Sequence, residues 1–142
     1  MDIEWMPILS IAGSSRLGVL RNGEWVAERG GELWRLVDVG FFPAFPLLEG
    51  DREQISDGVF RALREYGIGD GEQFSFPVNR LLEGALVGGM EYWAVLALGW
   101  LDGIDMDSRL LQALSRLEHA PWASEETKNR ARKVLGLSRI PR

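Results

Sequence analysis

Hydrophobic positions along the chain change their period near residue 51. Before it, apolar residues come in short runs punctuated by glycine. Residues 17–20 (Leu-Gly-Val-Leu) and 24–27 (Glu-Trp-Val-Ala) flank Arg21-Asn22-Gly23. Asn-Gly between apolar runs is a strong hairpin signal, because both residues tolerate positive φ. Gly30-Gly31 then turns the chain into residues 33–39, a further predicted strand, and residues 8–11 make another. The pattern predicts a short antiparallel meander. A helix through residues 8–20 is the competing reading. Residues 41–46 (Phe-Phe-Pro-Ala-Phe-Pro) read as a stiff connector whose prolines oppose both helix and ladder. Its three phenylalanines are expected to plug a core between sheet and helices, or else to form an exposed aromatic patch.

From residue 51 apolar side chains recur at three and four residues, the mark of amphipathic helices. Ile55, Val59, Leu63 and Tyr66 form the first stripe, with Gly67 as its stop and Asp57, Arg61 and Glu65 on the outer face. Pro77 opens a second helix with Leu81, Leu82, Ala85 and Leu86 inward, closed by Gly88-Gly89. Residues 91–101 are apolar nearly all round and are expected to form a central buried helix, with Trp93 and Trp100 in the core. Asp107 is a predicted N-cap for a helix striped by Leu110, Leu111, Leu114 and Leu117. Ser124 is another, for a last helix with Thr127, Ala131, Val134 and Leu135 inward. The last three helices are expected to pack as consecutive hairpins. The fold class that follows is α+β, a small N-terminal antiparallel sheet followed by a bundle of about five helices, with all-α as the alternative. One domain is expected over residues 1–142, strand-rich in 1–40 and helical in 51–137.

Composition changes this picture little. The 142 residues are 46% hydrophobic and 26% charged, with six tryptophans and no cysteine. Such a chain folds around a core rather than around disulfides or thiolate metal sites. Its longest apolar run, residues 92–101, is half the length of a membrane span of about 20 residues. The acidic N-terminus lacks the basic start of a secretory signal. No membrane association and a cytoplasmic location are therefore expected.

Charge changes it more. Residues 1–107 carry 18 acidic and 8 basic side chains, a net −10, and residues 108–142 carry 3 and 8, a net +5. Glu49, Asp51, Glu53 and Asp57 surround a single arginine, Arg52. Asp70 and Glu72 follow in a glycine-rich loop, and Asp102, Asp105 and Asp107 in another. These nine acids are the candidate partner-binding residues. Two readings stand: a solvated surface that keeps the chain soluble, or a docking face that steers a basic partner. Either one repels nucleic acid, so no nucleic-acid partner is expected.

Little else in the chain carries chemistry. His119 sits near a predicted helix end, a favourable place for its charge, with no nucleophile or paired carboxylate legible beside it. Asp102, Asp105 and Asp107 resemble part of a cation loop, but the glycine and the glutamate of an EF-hand are missing at their positions. Gly67-Ile-Gly69-Asp-Gly71 follows a helix and carries acids, so it reads as a turn rather than a phosphate loop. Gly13-Ser14-Ser15 lacks the spacing of a nucleophile elbow. No catalytic residue, cofactor or metal is expected.

Residues 91–101 (Glu-Tyr-Trp-Ala-Val-Leu-Ala-Leu-Gly-Trp-Leu) and the close of the chain, Ser124 followed by residues 129–135 (Asn-Arg-Ala-Arg-Lys-Val-Leu), carry a resemblance. A Trp-rich helix, a leucine-striped helix and a final R-x-x-K-x-L helix resemble the tail of immunity proteins from bacterial contact-dependent growth inhibition and related polymorphic toxin systems. The resemblance covers about the last fifty residues. It implies a small cytoplasmic protein that binds a cognate toxin domain, often a nuclease, and blocks its active site. Such families offer no catalytic residue to carry over, and their contact surfaces differ between pairs. An adaptor that binds another cellular protein, and a small-molecule-binding protein or enzyme, are the alternatives.

Overall fold

The computed structural model describes residues 5–11, 13–68 and 75–138, with the side chains of residues 137 and 138 left aside. Four strands, β1 (Trp5–Ser10), β2 (Arg16–Leu20), β3 (Trp25–Arg29) and β4 (Glu32–Arg35), form one antiparallel sheet in chain order. Two 3-10 segments follow, Leu36–Val39 and Phe42–Glu49. Five α-helices follow among the described residues: α1 (Arg52–Glu65), α2 (Val78–Val87), α3 (Glu91–Trp100), α4 (Ser108–Glu118) and α5 (Glu125–Ser138). The architecture is α+β, and the helix through residues 8–20 does not form. The chain divides into two compact units, Met1–Pro77 and Val78–Arg142, so α1 belongs with the sheet.

In the first unit the two glycine signals make different turns. Gly30 and Gly31 both have positive φ, 61° and 87°, and join Arg29 to its partner Glu32 in the two-residue form that matches strand twist. At Asn22-Gly23 only Gly23 is left-handed, at 92°. There Gly23 N–H donates to Leu20 O at 2.9 Å and Leu20 N–H to Glu24 O at 2.8 Å. This closes a three-residue loop instead. Asn22 Oδ1 accepts from Glu24 N–H at 2.9 Å, and its Nδ2 donates to the Glu24 carboxylate at 2.8 Å.

β1 is an edge strand interrupted by a bulge between Pro7 and Leu9. α1 packs against it. Gly58 leaves room for this contact: a Cβ there would lie 3.0 Å from Leu9 Cδ2. Tyr66 remains exposed, yet its hydroxyl donates to Pro7 O at 3.0 Å. Val59 and Leu63 are buried as their spacing predicts, and Ile55 is half-buried. α1 stops where expected. Gly67, at φ 78°, lets its own N–H reach Arg64 O and the Ile68 N–H reach Leu63 O.

Two expectations need correction in this unit. The strand expected over residues 33–39 ends at Arg35, because Leu36 turns into the core and its carbonyl accepts from Gly40 and Phe41 N–H. The connector is also helical, in the 3-10 form. Pro43 lies at the start, where no N–H is needed, and short i→i+3 runs survive one proline further on. Phe41 and Phe45 are buried while Phe42 is exposed, so only part of the aromatic run serves a core. Trp25 ties the end of the unit to the sheet. Its indole N–H donates to Ser75 O at 3.1 Å, and Phe76 meets the ring edge-on at 5.2 Å.

In the second unit α2 and α5 each pack against both α3 and α4. Leu81, Leu82, Ala85 and Leu86 of α2 are fully buried, as are Leu110, Leu114 and Leu117 of α4. Leu111 lies at the edge of its stripe, half-buried, while Ala113 is buried. In α5, Thr127, Ala131 and Leu135 are buried and Val134 is half-buried. α3 is less central than its composition implies. Ala94, Ala97, Leu98 and Trp100 are buried, but Tyr92 is exposed and Trp93 is half-buried against the Tyr92 ring. Nor does the predicted run of hairpins hold throughout. α4 and α5 are neighbours, whereas α3 lies against α2 and α5, where the Glu91 carboxylate accepts from Ser124 N–H.

Candidate binding surface

The acidic stretch predicted from sequence lies at the start of α1. Glu49 ends the second 3-10 segment, Asp51 is the N-cap, Glu53 sits in the first turn and Asp57 one turn on. All four are exposed, and Arg52 among them is half-buried. Asp51 Oδ1 accepts from Glu53 N–H at 2.8 Å and from Gln54 N–H at 3.1 Å, which satisfies two otherwise unpaired donors. Asp51 therefore holds the helix as well as contributing charge. Carboxylates at a helix N-terminus also meet the positive end of its dipole, so Asp51 and Glu53 stabilise α1 whether or not anything binds.

Asp102, Asp105 and Asp107 belong to the other unit, in the segment between α3 and α4. Asp102 and Asp105 are exposed, and the Asp105 carbonyl accepts from Asn79 Nδ2 at 3.2 Å. Asp107 is the N-cap of α4, as predicted, accepting from Leu110 N–H at 2.9 Å. Its other oxygen pairs with Arg80. Arg80 also pairs with Glu83, and Arg109 reaches the second Glu83 oxygen at 3.1 Å. Burial works against the charged form of Asp107, but the Leu110 N–H and the Arg80 guanidinium outweigh it and hold the carboxyl below its usual range. This carboxylate is committed to joining α2 and α4. Asp70 and Glu72 lie outside the described residues.

Sequence reasoning missed this ion-pair network. Arg80 and Asp107 are 27 positions apart, and nothing in the local pattern marks them as partners. On the outer face of α1 it placed Asp57, Arg61 and Glu65, which are exposed, but it missed Phe60 and Arg64 beside them. There Phe60 is 49% exposed, Arg64 lies over its ring at 5.7 Å, and Asp57, Phe60, Arg61, Arg64 and Glu65 line an open depression of about 480 Å³. The i, i+3, i+7 spacing of Asp57, Phe60 and Arg64 was readable, but an aromatic residue at such a position reads by default as core.

His119 is the C-cap of α4, with a 77% exposed side chain 3.6 Å from Glu118. It lines a second open depression, of about 420 Å³, with Ser115, Arg116 and Trp122. Among the described residues no three His, Asp or Glu side chains come close enough to hold a metal ion. Among them too, no helix is long and apolar enough to cross a membrane. No protein-family model, curated protein or solved structure matches the chain.

Proposed function

We propose that this protein is a non-enzymatic inhibitor that binds a basic toxin domain, such as a nuclease, in the cytoplasm of the cell it protects. One observation carries the reading: four exposed carboxylates, Glu49, Asp51, Glu53 and Asp57, cluster at the entrance of α1 in a chain whose first 107 residues hold a net −10. A nuclease cleft is built to attract phosphates, so a fixed carboxylate array competes for the same ground. It also accelerates encounter through long-range attraction. Blocking of this kind needs no catalytic group, only complementary charge and a shape that covers the cleft. The resemblance of the last fifty residues to immunity proteins points the same way.

The test begins with affinity capture of the tagged protein from its native cells, read by mass spectrometry. Recovery of one basic toxin fragment is the expected result. Recovery of housekeeping proteins alone replaces the inhibitor with an adaptor. With the fragment in hand, Glu49→Gln/Glu53→Gln leaves the Asp51 cap in place while removing two charges. Association should slow by about tenfold at low salt, and its ionic-strength dependence should flatten. Unchanged association kinetics in a folded variant would move the docking surface elsewhere.

A further inference from the structure

The outer face of α1 is polar in a way that a uniformly basic partner does not satisfy. Val59 and Leu63 are buried, and the opposite face, carrying Asp57, Phe60, Arg61 and Arg64, is exposed. An anion precedes a half-exposed ring and two cations follow it. Arg64 lies over the ring, presenting guanidinium and aromatic surface together. Aromatic side chains and arginine are enriched at protein–protein interfaces. A basic partner laid along this face meets Arg61 and Arg64, and an acidic one meets Asp57. The outermost charges of the face are Asp57 and Arg64, of opposite sign, and an inverted copy of the same helix presents those two in the opposite order.

We infer that two copies of this chain associate through α1, antiparallel across a two-fold axis that passes between Phe60 and Arg61. In that arrangement Asp57 of each copy lies opposite Arg64 of the other. The seven steps from Asp57 to Arg64 span two turns, about 10.5 Å, so both ion pairs form on one face at once. The two Phe60 rings meet near the axis, and the helix dipoles oppose one another favourably. The contact is isologous, so it closes at two copies. Of the four acids proposed for docking only Asp57 is shared; Glu49, Asp51 and Glu53 lie nearer the helix start, and the association does not rest on the inhibitor reading.

Sedimentation equilibrium over a wide concentration range, with the full chain, tests this. The expected result is a weak reversible dimer. Phe60→Gln should weaken it by about tenfold or more, as for an interface anchor. The charges allow a stricter check. Asp57→Arg alone and Arg64→Glu alone should each be monomeric, because each places like charges opposite one another. An equimolar mixture of those two variants should dimerise again, and so should the double variant. All of these positions are exposed, and circular dichroism confirms that each variant is folded. A wild-type monomer at every concentration overturns the proposal and leaves the face to a different protein. Single charge reversals that dimerise like wild type, or a mixture that stays monomeric, overturn it equally.

Discussion

Gly18 shows how much one missing side chain decides in the sheet. It sits in β2, paired with Pro7, and a Cβ there would lie 2.3 Å from the Trp5 ring and 2.7 Å from Met6 O. The indole lies across the strand because there is nothing at position 18 to lift it. Arg16 covers the ring's outer side at 5.0 Å and reaches the Glu28 carboxylate at 3.1 Å. Gly18→Ala should therefore displace Trp5 and cost about 1–3 kcal/mol, the usual penalty of overpacking. Urea denaturation followed by far-UV circular dichroism measures it. A neutral result would mean that the ring can move aside freely. In the second unit, Leu114 is fully buried on α4, and Leu114→Ala should cost about 2–5 kcal/mol in the same assay.

At the scale of elements, α1 separates two roles that coincide in Asp51. Asp51→Ala removes both charge and cap and should destabilise by about 1 kcal/mol, whereas Asp51→Asn keeps an acceptor and should recover most of the loss. Comparing their thermal midpoints with their rates of association to a partner separates capping from steering. Helices were the most legible elements, since the stripes of α2 and α4 and the caps at Asp107 and Ser124 are encoded locally. The Asn22-Gly23 and Gly30-Gly31 turns were legible as turns, but the dipeptide does not state how many residues close each loop. Aromatic positions were read less well. Phe42, Phe60 and Trp93 have core-like chemistry, and only tertiary packing reveals which faces lack a neighbour. The candidate surface was readable where it follows the chain, from Glu49 to Asp57. It was invisible where charges meet from distant positions, as Arg80 and Asp107 do.

For the molecule as a whole, charge links stability to pH. Among the described residues, three carboxyls are held below their usual range. Glu28 accepts from Gly31 N–H and pairs with Arg16, Glu91 accepts from the Ser124 N–H and the Ser124 and Thr127 hydroxyls, and Asp107 is held as described. Each has a lower pKa folded than unfolded. Their contribution is therefore complete above the unfolded values, about 3.9 for Asp and 4.3 for Glu, and fades as pH falls through the folded ones. The urea midpoint should fall when the pH drops from about 7 to about 3, and Glu28→Gln/Glu91→Gln should show a shallower fall. Equal slopes in both proteins would rule these carboxylates out as the source. The loop at Asn22-Gly23 has a consequence of another kind, for how the protein ages. Asn-Gly pairs are prone to deamidation, in which the glycine nitrogen attacks the asparagine carboxamide and ammonia departs. Here that nitrogen is engaged with Leu20 O and the carboxamide is fastened at both ends to Glu24. The same hydrogen bonds that shape the hairpin keep nucleophile and target apart, so this covalent clock runs slowly in the folded hairpin and speeds up whenever the hairpin opens.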